Sequence, residues 1–410
     1  METVTNLFIV GFVIVAGLIA QYIFRKTRAP DVMFLMVLGA ILSQFGFTEG
    51  LKQNPSQITF LITFSLIYVV FYGALPIRIK AIFSTMKYAF LSSIINFVVT
   101  TTILGLFSRL LGFDWIMAFS LGALFCVLDG SIINSLIDTI GLGKRAEAQI
   151  QAESAMTDIF VIVGVLSIIS FASLSTSQIF QNLASYLFLS LGIGIITSIV
   201  WAFILKHLGH YSSAPIATMA VLVIIYAFAE YVGANGVIAV FFFSIILGNI
   251  AEWSKLVYAT QKESIGTLSG STRHFFKDIS FLIRTFLFVY LGTLVDFSQW
   301  GLLLLGLVFF LVAYMLRSSL NNIKVNRDLT KKENYFLDSM CAKGLTPAVM
   351  LAVIGANSRF SNILIGGIFS SALITSIFIF LIEKEKFTSF WDIITHKINW
   401  KRYIAMLQKK

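Results

Sequence analysis

Charge is scarce in this chain. Asp, Glu, Lys and Arg together make up 12% of its 410 residues, whereas 58% are hydrophobic and the mean hydropathy is +0.89. That shortage excludes a soluble fold, which could not hide so much apolar surface. Histidine is also rare. His207, His210, His274 and His396 do not cluster, and no HExxH or Ser/His/Asp arrangement occurs, so neither an enzyme nor a cofactor is expected. Only two cysteines are present, Cys126 and Cys341, both within apolar stretches, which leaves no disulfide framework. Of five prolines, Pro30, Pro55, Pro76 and Pro215 fall at loops or stretch ends, and Pro347 alone falls inside one. The first apolar stretch is long and lacks a basic start, so no cleavable signal is expected.

What is present in quantity is the apolar stretch of about 20 residues, the length that crosses a bilayer as a helix. The chain reads as an all-α polytopic membrane protein with about thirteen spans: 5–24, 31–47, 57–76, 85–109, 113–138, 149–173, 178–205, 214–231, 234–251, 273–296, 299–322, 334–355 and 361–383. With the N-terminus outside and the C-terminus cytoplasmic, twenty-four basic residues fall on inner loops and the tail. Only Lys52, Arg109 and Arg359 fall outside. This is a strong positive-inside asymmetry, and it predicts a plasma (inner) membrane protein in which the net charge of +10 serves topology and lipid, not nucleic acid. The tail, residues 384–410, is basic and carries Trp391, Ile394, Ile398 and Trp400, a pattern expected of an interfacial helix.

Two spans carry breaks. Asp129-Gly130 interrupts the fifth and Lys343-Gly344-Leu345-Thr346-Pro347 the twelfth. They lie seven spans apart, and an odd separation reverses orientation. This predicts two inverted six-helix repeats, residues 1–173 and 213–383, joined by a linker helix in 174–212. Two broken helices that cross at the midplane aim two N-termini and two C-termini at one another, partial positive charge at the former and partial negative at the latter. Asp129 can compensate the first pair and Lys343 the second.

The sixth span begins Gln149-Ile-Gln-Ala-Glu153-Ser154-Ala-Met-Thr157-Asp158. Asp158 is roughly nine residues, or ~14 Å, from its inner end, near the middle of a core about 30 Å thick. Charge at that depth is expensive and is expected to be functional. A carboxylate largely out of water needs a partner, and a proton or a cation can serve, but not both at once. Ser154 shares its helix face, while Glu153 points about 140° away. Oxygen ligands suited to a hard monovalent cation are at hand in Asp158, Ser154, Asp129 and Thr157. Arg317 in the eleventh span is a candidate partner for Glu153, with snorkelling to the inner interface as the alternative. Arg284 in the tenth span either lines an inward cavity or pairs with Asp278.

Taken in order, these motifs resemble the sodium/proton exchanger branch of the monovalent cation:proton antiporter superfamily. The family's Thr-Asp-Pro break is similar to Leu128-Asp129-Gly130, and its Gly-Glu-Ser-x-x-Asn-Asp to Ala152-Glu153-Ser154-Ala-Met-Thr157-Asp158. The Phe-Phe-x-x-x-Gly stretch resembles Phe286-Leu-Phe288-Val-Tyr-Leu-Gly292, the arginine span matches at Arg317, and the second break at Lys343-Gly344-Leu-Thr-Pro347-Ala348. The resemblance implies that Asp158 exchanges cation for proton, that Glu153 and Arg317 form a structural ion pair, and that the protein is a homodimer with a moving core of spans 4–6 and 11–13. It departs from the family at Leu128, where a threonine contributes to cation binding, and at Thr157, where asparagine is usual. Electrogenic members have a second aspartate at the latter place. Its absence implies electroneutral 1:1 exchange of Na⁺, K⁺ or Li⁺ for H⁺. A regulated cation channel or a symporter on the same broken-helix fold is the alternative.

Overall fold

The computed structural model describes residues 2–27, 30–45, 55–75, 87–130, 143–171, 179–208, 213–257, 270–323, 330–355 and 357–383. The tail expected to form an interfacial helix lies outside these. The described residues are all-helical, with no strand. Fourteen α-helices are seen: α1 (Glu2–Thr27), α2 (Asp31–Gln44), α3 (Pro55–Ala74), α4 (Lys87–Leu110), α5 (Trp115–Leu124), α6 (Lys144–Phe171), α7 (Ile179–Leu208), α8 (Ala214–Tyr231), α9 (Gly236–Val257), α10 (Gly270–Thr293), α11 (Trp300–Ile323), α12 (Lys331–Ser339), α13 (Leu345–Ile354) and α14 (Ser358–Glu383).

Each expected span has its helix, with two departures that matter. The fifth span keeps helical form only over α5, whose start is capped by Asp114 accepting from the Met117 amide, and residues 127–129 are non-helical. Its continuation beyond Gly130 lies outside the described residues. The twelfth is divided into α12 and α13 by the non-helical residues 340–344. Hydropathy put its start at residue 334. The helix in fact begins at Lys331, because Thr330 and Glu333 form a reciprocal capping box that satisfies the first amides. Polar residues there extend the helix out of the apolar zone.

By length and composition six described helices can cross a membrane unaided: α4, α6, α7, α8, α11 and α14. Apolar runs in α1, α2, α3, α5 and α9 are shorter. Large apolar side chains such as Leu7, Phe8, Phe60, Phe188, Ile196 and Ile224 face outward, as lipid-facing positions do.

Two packing groups are evident. α4, α5 and α6 pack together, and α11 packs on both α14 and α4. Elsewhere α2 packs on α10, and α7, α8 and α3 pack on α9. Small residues allow the closest approaches. At Gly39 of α2 and Gly292 of α10, an added methyl group would overlap the facing backbone, against the Val289 and Met36 carbonyls respectively. Between the groups, α3 meets both α6 and α13, and the site is found at that seam.

Candidate functional site

The two breaks touch. The amide of Asp129 donates to the Ala342 carbonyl at 2.9 Å, and Asp129 Oδ2 accepts from the Leu345 amide at 2.8 Å, in the first turn of α13. Lys343 Nζ donates to the Val127 carbonyl at 2.7 Å, just past the C-terminal end of α5, and contacts Cys341 Sγ at 3.6 Å. A carboxylate therefore meets a helix start, and an ammonium meets a carbonyl just past a helix end. Both side chains are buried. Gly344 is required here by space, because a Cβ at that position would overlap Asp129 Oδ2. The cysteines sit within the breaks and are free and buried. Cys126 Sγ accepts from Asn96 Nδ2.

Glu153 and Arg317 are brought together. Arg317 donates to Oε1 of Glu153 at 2.9 Å and to Oε2 at 3.3 Å, and its second terminal nitrogen also donates to the Leu337 carbonyl at 3.1 Å. Ser92 of α4 adds a hydroxyl donor to Glu153 Oε1. The side chains are 2% and 3% exposed, so the pair is sealed from water and Arg317 does not snorkel. Arg284 pairs with Asp31 at 2.8 Å, not with Asp278. Asp31 is buried at the start of α2, while Asp278 is exposed two turns away along α10. The close α2–α10 packing selects the partner.

Asp158 is differently placed. It is half-buried and lines a cavity between α3, α6, α9 and α13. The walls are Val69, Val70, Ile159, Ile162, Val237 and Phe241 among others, and among the described residues the only polar ones lining it are Asp158 and Thr346. The cavity has room for a water or a small ion. Among the described residues, Oδ1 of Asp158 is buried and makes no hydrogen bond.

The remaining candidates border this site. The Ser154 hydroxyl donates to the Leu128 carbonyl in the first break at 2.8 Å, and Gly130 leaves room for it. Thr157 is fully buried and its hydroxyl donates to the Ser154 carbonyl of its own helix, so it turns away from the cavity. Sequence reasoning missed Thr346, Ser92, Asn96 and Asp31. Thr346 stood inside a quoted motif, and a polar stripe on α4 (Ser92, Ser93, Asn96, Thr100) could have pointed to the second and third.

Comparison with known proteins follows the same lines. A family model described as "Sodium/hydrogen exchanger, transmembrane" matches residues 11–384. The chain is similar to the K(+)/H(+) antiporter NhaP of Alkalimonas amylolytica, 20% identical over 61% of this chain and 45% of that protein. It is also similar to Sodium/hydrogen exchanger 7 of Arabidopsis thaliana, 23% identical over 70% of this chain and 26% of that one. Thus it spans less than half the length of these two relatives. With Na(+)/H(+) antiporter 1 of Methanocaldococcus jannaschii it shares 24% identity over 87% of this chain and 84% of the relative. The solved structure of the sodium proton antiporter MjNhaP1 from that organism at pH 8 superposes with a TM-score of 0.74 at 18% identity, covering 94% of this chain and 98% of the other.

Proposed function

The chain belongs to the sodium/hydrogen exchanger family, and on that premise we propose that it is a multi-pass membrane antiporter exchanging a monovalent cation for a proton by alternating access. Na⁺ is the first candidate; K⁺ and Li⁺ are the others. The observation that carries this reading is Asp158: a carboxylate in an apolar cavity with one buried oxygen unpartnered. The neighbouring bases are engaged elsewhere, Arg317 on Glu153 and Lys343 on Val127. Neither can neutralise Asp158 permanently, so it must take a proton or a cation from solution, one excluding the other.

Around that carboxylate the other residues hold position. Ser154 and Asp129 border the site and fix the first break. Glu153 and Arg317 tie α6 to α11 as a structural pair. Asp129 and Lys343 compensate the helix ends where the breaks meet. Contacts between the two breaks support the reading of spans 5 and 12 as crossed discontinuous helices. On that reading residues 1–173 and 213–383 are inverted repeats about a linker helix in 174–212. The cavity lies at the seam between the two packing groups. Relative movement of α4–α6 and α11–α14 against the remainder would carry Asp158 between the two sides, in a plasma-membrane homodimer with its N-terminus outside.

A single carboxylate that trades one monovalent cation for one proton moves no net charge, so the exchange is electroneutral. Purified protein in liposomes tests the function directly. An imposed Na⁺, K⁺ or Li⁺ gradient should drive proton movement of the opposite sense. Cation flux without coupled proton flux would replace this reading with a channel.

A further inference from the structure

We propose that Thr346 is a cation ligand and the residue that sets cation preference at the Asp158 site, so that the coordination shell is closed from the second helix break. The inference rests on the antiport reading above and names a ligand for its site.

Position is the first argument. Among the described residues, Thr346 is the only polar residue besides Asp158 that lines the cavity. The other hydroxyls nearby are turned elsewhere: Ser154 onto the Leu128 carbonyl and Thr157 onto the Ser154 carbonyl. Neither lines the cavity, and the leucine at 128 has no hydroxyl to offer. A hard cation entering this apolar space meets few oxygens, so each one weighs heavily in its coordination.

Chemistry is the second. A hydroxyl carries one donor and two acceptor lone pairs. Thr346 can donate to the ionised Asp158 carboxylate and accept from its protonated form. It can also turn a lone pair to a cation bound between them. One side chain thus serves all three occupancies of the site without moving its backbone.

Rigidity is the third. Thr346 lies in the first turn of α13, one residue after Leu345, whose amide is held by Asp129 Oδ2 at 2.8 Å. Asp129 therefore acts as a positioning residue: by holding the start of α13 it sets the distance from Thr346 to Asp158. Differences in that distance distinguish a small cation from a larger one.

The test compares Thr346→Val, of equal shape and no hydroxyl, with Thr346→Ser, which restores it, and uses Thr346→Ala should the valine variant misfold. Two readouts are taken on purified full-length protein: KM for Na⁺, K⁺ and Li⁺ in proteoliposomes, and the concentration of each ion that half-maximally raises Tm in detergent at alkaline pH. Loss of a hydroxyl that faces a charge should raise both by about tenfold. The ratios between ions should change, and serine should recover most of the affinity. Unchanged affinities and ratios in the valine or alanine variant overturn the proposal. If the wild type is stabilised by cations but does not exchange them, antiport fails while the Tm titration still decides the role of Thr346. If no cation raises the wild-type Tm through Asp158, as judged against Asp158→Asn, both proposals fall.

Discussion

Arg317 holds Glu153 by both carboxylate oxygens, at 2.9 and 3.3 Å, across a contact sealed from water. Breaking a buried pair from one side leaves an uncompensated charge and costs ~3–5 kcal/mol. Glu153→Ala and Arg317→Ala should each lower Tm sharply, and the double variant should recover part of the loss. Simple additivity of the two losses in a thermal-melt cycle would show that the residues are not energetically coupled.

Asp158 has the opposite environment, with an orphaned oxygen facing a cavity. Asp158→Asn keeps the shape and removes the exchangeable charge. It should abolish exchange in proteoliposomes while leaving the elution profile and Tm near those of the wild type. Wild-type rates in the purified variant would remove Asp158 from the site.

At the break contact, space and charge make separate demands. Gly344→Ala adds a methyl group where Asp129 Oδ2 already sits. It should cost about 1–3 kcal/mol by overpacking and disturb transport as well. Lys343→Ala removes the ammonium from the Val127 carbonyl, and Lys343→Arg should be tolerated better. Asp129→Asn keeps an acceptor for the Leu345 amide but loses the charge, and it should fall between wild type and Asp129→Ala in Tm. Equal effects of Lys343→Arg and Lys343→Ala would show that charge is irrelevant there.

Stoichiometry gives a test that needs no mutation. One carboxylate exchanging one cation for one proton is insensitive to voltage. Exchange should therefore be unchanged when a potential of either sign is clamped across the liposome. Rate against pH should be bell-shaped, since low pH keeps the site protonated and high pH leaves no proton to return. Voltage-driven cation uptake would mean that a second charge moves, for which Asp129 is a candidate.

Outside the membrane, the Thr330 hydroxyl and backbone amide hold the Glu333 carboxyl below the usual glutamate range. A lowered folded value makes the contribution present above the unfolded value, roughly pH 4.3. It is lost as pH falls through the folded one. The first turn of α12 should therefore lose amide-exchange protection as pH falls below the usual glutamate range, and Thr330→Val should remove that pH dependence. Protection that is flat across this range in the wild type would show that the capping box adds nothing to this helix start.

Much of the fold could be read from the chain because lipid imposes a strict local rule: a spanning segment must be long, apolar and helical. Thirteen apolar stretches and the bias of Lys and Arg depend only on local composition. So do the breaks, since Gly130, Gly344 and Pro347 act on their own backbone. The boundary of α12 was misplaced because hydropathy is blind to a polar capping box, although Thr330 and Glu333 stand in plain view at the required spacing. Glu153 and Arg317 could be named as candidates, yet spacing alone could not separate pairing from snorkelling.

Partners across helices belong to tertiary structure, because they depend on how closely two backbones approach. Asp31 and Arg284 lie more than 250 residues apart, and only the glycine-to-glycine contact of α2 and α10 makes them neighbours. Likewise, Thr346 and Asp158 come from different halves of the chain and share a cavity only because α13 and α6 both pack on α3. By itself the sequence determined which residues carry charge into the bilayer and where its helices must break. Only the tertiary structure decided which of those charges are neutralised and which faces a cavity, because long-range packing sets the distances through which charges are paired or left open.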